Sequence, residues 1–139
     1  MSEDLGFKVF KLAESNYAGW HGVEDRTPAA YHDELDLYND ALRKGWTPEN
    51  VLWEVAIKEG YSLNCRIEPV AVAGNTVYRV TDPEKDPVQH FLACLDDELS
   101  PDIGKALGLT QDDLFVCRDR ALDDTLAANL ALQCRLKTI

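Results

Sequence analysis

The sequence predicts a single α/β domain, a mixed sheet of about five strands flanked by about four helices. Three observations carry that expectation. His90 to Leu95 and Leu114 to Cys117 are near-continuous apolar runs, and strands that lose polar alternation are those covered on both faces. Between them lies one short helical stretch opened by Ser100 and Pro101, which suits a crossover joining a parallel strand-helix-strand unit. Finally, Cys65 to Val72 and Thr76 to Val80 are β-branched-rich runs meeting at Ala73-Gly74-Asn75. That is a β-hairpin signal, because glycine and asparagine tolerate the positive φ that tight turns demand.

The other elements follow in chain order. Phe7 to Leu12 alternates apolar and basic residues, so a short strand is expected there, at an edge where lysines discourage further pairing. Ala13 to Arg26 is irregular and carries Tyr17 and Trp20, two large aromatics that must dock somewhere. Thr27 and Pro28 supply an N-cap and a first-turn proline for a helix expected to run to Lys44, with Tyr31, Leu35, Tyr38 and Leu42 on one face. Asp33, Glu34, Asp36 and Asp40 then form a solvated opposite face. Gly45 ends it. A second helix starts at once, capped by Thr47 with Pro48 following; Trp46 is placed to staple against Val51. Val51, Leu52, Val55 and Ala56 form its apolar face, Trp53 and Ile57 widen it, and Gly60 closes it. Pro69 marks the first hairpin strand as an edge or bulged strand. Asp123 to Lys137 reads as a terminal helix.

Composition narrows the function classes. The 139 residues are 45% hydrophobic, enough for one domain with its own core. The formal charge is −11, from 25 acids against 14 bases. A field of that sign repels phosphate, which argues against a sequence-independent nucleic-acid binder. No apolar run approaches the roughly 18 residues that span a bilayer, and the start, MSEDLGFKVF, is acidic. A soluble, cytoplasmic protein without membrane contact is expected. Cys65, Cys94, Cys117 and Cys134 lack zinc or redox spacing, so reduced, core-packed thiols are expected.

Chemistry-bearing motifs are sparse. There is no glycine-rich phosphate loop and no G-x-S-x-G elbow. Acids gather where the two central strands end: Asp96, Asp97 and Glu98 after one, Asp119, Asp123 and Asp124 after the other. Carboxylates at adjacent strand ends hold hard cations. A small metal-dependent phosphoryl-transfer or nuclease domain built on Asp96, Asp97, Asp119 and Asp123 is therefore the alternative reading. The simpler reading is helix capping and solvation. Arg118 and Arg120 are expected to make surface pairs with Asp96, of geometric importance only. Tyr17, Trp20, Trp46 and Trp53 are the candidate interface anchors. A small-ligand sensor would need an enclosed pocket lined by Trp20.

Four blocks carry a resemblance: Gly6 to Leu12 (GFKVFKL) with Ser15-Asn16 and Trp20; Leu52-Trp53-Glu54-Val55 with Lys58 and Gly60; Leu92 to Asp96 (LACLD); and Val116-Cys117-Arg118-Asp119 with Ala121 to Asn129 (ALDDTLAAN). In that order they resemble the region following the catalytic part of the methylation subunit of type III restriction-modification systems, which are adenine-specific DNA methyltransferases. The resemblance covers nearly the whole chain and implies a non-catalytic C-terminal assembly domain, a fragment of a larger subunit. The family's cofactor loop and D-P-P-Y type catalytic loop have no counterpart, since Asp82-Pro83 and Asp86-Pro87 lack the second proline and the aromatic. No catalytic, cofactor or metal residue is carried over. The cofactor S-adenosylmethionine belongs to the parent subunit. The implied partners are another methylation subunit, as a homodimer, and the restriction subunit, with DNA met only through the parent complex.

Overall fold

The computed structural model describes residues 6–19, 27–30, 32 and 40–139. Its frame is a five-stranded mixed sheet whose spatial order, β1-β2-β3-β4-β5, repeats the order of the strands in the chain. The strands are β1 (Arg66–Val72), β2 (Asn75–Asp82), β3 (Gln89–Cys94), β4 (Leu114–Cys117) and β5 (Arg135–Thr138). The first three are antiparallel neighbours, and β3, β4 and β5 run parallel. Helix α1 (Pro48–Lys58) precedes the sheet, α2 (Ile103–Leu107) connects β3 to β4, and α3 (Asp124–Gln133) connects β4 to β5 after a 3-10 turn at Asp119–Ala121.

The apolar runs are explained by the two cores they feed. Along β3, Phe91 and Ala93 join a cluster with Val51, Leu52, Val55 and Ala56 of α1, while Leu92 and Cys94 join another with Ile103, Leu126 and Leu130 of α2 and α3. On β4, Val116 faces the first cluster and Phe115 and Cys117 the second. The α/β architecture, the hairpin and the parallel unit are as the sequence predicts. The hairpin turn is tighter than expected: Ala73 and Gly74 alone make it, both with positive φ, and Asn75 pairs with Val72. Asn75 then turns a nearly buried amide inward, donating to Asp96 Oδ2 at 2.9 Å and to the Glu98 carbonyl at 2.7 Å, and accepting from the Ser100 amide.

Three expectations are corrected. Phe7 to Leu12 forms no strand; β1, an edge strand as predicted, carries Pro69, which offers no N–H to an incoming ladder, and Lys8 and Phe10 make side-chain contacts instead. The helix begun at Pro28, capped by Thr27 Oγ1 accepting from the Ala30 amide, does not reach Lys44. Asp40 sits in a bend and Leu42 forms an isolated bridge with Tyr17, because the Asp40 carboxylate takes the Leu42 amide into a local turn. Tyr31 and residues 33–39, with the rest of the anticipated acidic face, lie outside the described residues. The terminal helix stops at Gln133. Cys134 is extended, and Arg135–Thr138 becomes the fifth strand, filling the place in the sheet anticipated for Phe7 to Leu12.

Helix α1 is built as its sequence dictates: Thr47 caps it by accepting from the Asn50 amide, and Pro48 opens it. All four cysteines are free and buried. Burial pushes the thiols of Cys94 and Cys117 up to about 11 and about 12, leaving them protonated and poor nucleophiles at neutral pH. No helix among the described residues is long and apolar enough to cross a membrane.

Candidate functional site

In an open sheet with parallel strands, the carboxyl ends of those strands are where ligands collect. Here that position is occupied by an internal ion cluster. Arg118, which follows β4, is 4% exposed and is not the surface residue anticipated. Its guanidinium donates to Asp97, beyond β3, and to Asp40 Oδ1 at 2.5 Å, and lies over the Trp46 ring at 5.2 Å. Arg120 closes the other side, 3.4 Å from Asp40 and 3.7 Å from Asp97. Two cations thus meet two carboxylates, and the partners are Asp97 and Asp40 instead of the expected Asp96. Burial tends to raise the Asp40 pKa, but the hydrogen bond and charge of Arg118 outweigh it and hold the carboxyl below the usual range.

The four acids of the metal reading are separated by their duties. Asp96 accepts from Asn75 Nδ2 and the Thr76 amide, Asp97 belongs to Arg118, and Asp123 caps α3 by accepting from the Leu126 amide at 2.7 Å. Asp119 opens the 3-10 turn. Among the described residues no group of three or more His, Cys, Asp or Glu side chains is placed to hold a metal ion.

A second place lies on α1. The amino-terminal segment Gly6 to Tyr17 runs against this helix and is fastened by Glu54, whose carboxylate accepts from Ser15 Oγ, the Asn16 amide (2.7 Å) and Asn16 Nδ2 (2.9 Å), and pairs with Lys58 at 3.0 Å. Trp53 takes the Phe10 ring edge-on at 5.1 Å and Lys8 Nζ at 5.3 Å. The same Lys8 donates to the carbonyls of Leu63 and Cys65, just ahead of β1. Lys58 sits 3.8 Å over Tyr17, and the Ala18 amide donates to the Ala41 carbonyl. Beside the segment is an open groove of about 870 Å³, walled by Leu52, Trp53, Ile67 and Tyr78, with Glu49 and Glu68 on its lining.

Of the predicted interface anchors, Trp53 lines this groove, whereas Trp46 and Tyr17 are spent on internal contacts with Arg118 and Lys58. Trp20, and with it the pocket a ligand sensor would need, lies outside the described residues. Sequence reasoning missed Glu54 and Asp40 as fastening points. Ser15-Asn16 is the one signal for the former, since short polar side chains favour such local caps and turns.

Burial works against the charged form of Glu54, but the donors from Ser15, Asn16 and Lys58 prevail and lower its pKa to about 2. A depressed folded-state value means the contribution is complete above the unfolded pKa near 4.5 and is lost as the pH falls from there toward about 2. Glu54→Gln is expected to remove about 1.5–3 kcal/mol, the range for hydrogen bonds to a charged group, and to flatten the stability profile across that window. Urea denaturation at a series of pH values checks both; an unchanged pH profile contradicts this role for Glu54.

No known protein family, curated protein or solved structure matches the chain.

Proposed function

We propose that the chain is the non-catalytic C-terminal assembly domain of a type III restriction-modification methylation subunit, working in the cytoplasm. The observation that carries this reading is that the four resembling blocks are the parts that touch one another. The Gly6 to Leu12 and Ser15-Asn16 blocks lie on Trp53 and Glu54 of the second block. Leu92 to Cys94 of the third is paired in register with Phe115 to Cys117, so the third and fourth blocks are adjacent strands. The resemblance therefore falls on parts of the chain that pack against one another.

The chemistry supports a role in binding protein. At the strand ends Asp97 is engaged in an ion pair, Asp123 in a helix cap and Asp96 in hydrogen bonds from Asn75 and the Thr76 amide, and the charge of −11 disfavours direct contact with phosphate. The partners on this reading are another methylation subunit and the restriction subunit, with S-adenosylmethionine and DNA handled by the parent enzyme. Calorimetric titration of the chain with S-adenosylmethionine and with duplex DNA should give no saturable heat. Specific saturable binding of either overturns a purely assembly role.

A further inference from the structure

Three of the four buried thiols share one core. Cys94, Cys117 and Cys134 belong to the cluster built on Ile103, Leu126 and Leu130, while Cys65 lies in the cluster against α1. Of the three, Cys94 and Cys117 are direct partners: they are the last registered pair of the parallel ladder between β3 and β4, and both are wholly inaccessible. Neighbouring strands lie about 4.8 Å apart, inside the Cα separation of about 4.4–6.8 Å that a disulfide spans. Each cysteine is also the final residue of its strand, so the small approach that brings the two sulfurs to bonding distance disturbs no registered pair of β3 and β4 beyond them. The other thiols lack this geometry. Cys134 precedes Arg135, whose partner Leu114 is at the opposite end of β4, about 10 Å from Cys117 by the rise of a strand. Its Sγ donates to the Leu130 carbonyl, and that of Cys65 to the Ser62 carbonyl. Burial is the first cause of the raised Cys117 thiol, and Cys94 adds to it ahead of Cys134.

We propose that Cys94 and Cys117 form a reversible disulfide, tying the carboxyl ends of β3 and β4 together when the surroundings turn oxidising. The oxidant is a low-molecular-weight disulfide such as glutathione disulfide. One protein thiolate attacks it, forming a mixed disulfide and releasing one small thiol, and the second protein thiolate then displaces the other. Two electrons and two protons thus pass from the cysteines to the small disulfide, which leaves as two thiols. Because both sulfurs are buried, exchange in either direction waits on opening of the strand ends. Under a reducing poise the pair stays as thiols. The bond closes the loop from 94 to 117, which contains α2, and adjoins the ion pair of Arg118 with Asp97. A charged clasp between the two strand ends thereby gains a covalent counterpart. The inference is independent of the assembly reading.

The test is equilibration of the chain in glutathione buffers of increasing disulfide-to-thiol ratio, followed by acid quenching, alkylation of the remaining thiols in denaturant, and peptide mass mapping. The expected product has two of its four cysteines joined, Cys94 to Cys117, and dithiothreitol restores all four thiols. Cys65 and Cys134 should be alkylated throughout. Cys134→Ala should pair as well as the unaltered chain, whereas Cys94→Ala and Cys117→Ala should each form no internal link. The oxidised chain should unfold at a higher urea concentration than the reduced one, since the link removes freedom from the unfolded state and fits the folded one. Four unjoined cysteines at every ratio, whether free or carrying glutathione, overturn the proposal. So does a link that maps to Cys65 or Cys134. A Cys94-to-Cys117 link whose product unfolds at lower urea also overturns it, because the bond then forms only by forcing the strands apart from their folded geometry.

Discussion

Phe91→Ala is expected to lower stability by about 3–5 kcal/mol, the range for emptying the site of a buried aromatic. Phe91 is wholly inaccessible, sits in β3 at the centre of the sheet, and meets Tyr61 edge-on at 5.2 Å. Its loss opens a cavity between the sheet and α1 that neither can collapse to fill, since both are held by pairing and by the Thr47 cap. The change should appear as a lower urea midpoint at unchanged slope. Phe91→Leu, keeping most of the volume, should cost well under half as much. Equal effects of the two substitutions would mean that the site is not tightly packed.

Arg118→Ala is the second. It removes hydrogen bonds from a charged donor to Asp40 and Asp97 together with the stem that lies against Trp46, for an expected loss of about 2–4 kcal/mol. The two carboxylates left behind are 34% and 63% exposed, and Arg120 still reaches both, so the cost falls short of stranding a buried charge. Arg118→Met tests the division: it keeps the stem and discards the charge, and should recover at least half of the loss. If the methionine variant is as unstable as the alanine variant, packing on Trp46 contributes little and the ion cluster accounts for the effect.

Most of the sheet was legible because its signals are local. Ala73-Gly74 announces a turn, the runs around Phe91 and Phe115 announce strands covered on both faces, and Thr47-Pro48 announces a helix start. What was not legible depends on distant or ambiguous partners. Arg118 is buried because Asp40, 78 positions away, comes to meet it; nothing in Cys117-Arg118-Asp119 distinguishes it from a surface arginine. In the tail, Leu132 and Leu136 have the four-residue spacing of a helix face, while Arg135-Leu136-Lys137-Thr138 also alternates as a strand does. The free side of β4 decides between them, with the Ile139 amide donating to the Cys117 carbonyl. Phe7 to Leu12 alternates just as well, but finds a proline-bearing edge.

Every strand of the sheet lies beside the one made just before it, but the antiparallel strands β1 to β3 are joined by short turns whereas the parallel strands β4 and β5 each close a helical crossover before they pair. The hairpin half can therefore form early, and the parallel half later, since more chain entropy is lost before each of its contacts is gained. The clasp of Arg118 on Asp40 and the hold of Lys8 on Cys65 span 78 and 57 positions and belong at the end of that sequence. Substitutions there should accelerate unfolding and leave refolding nearly untouched, so the amino-terminal segment is fastened only after the sheet that supports it.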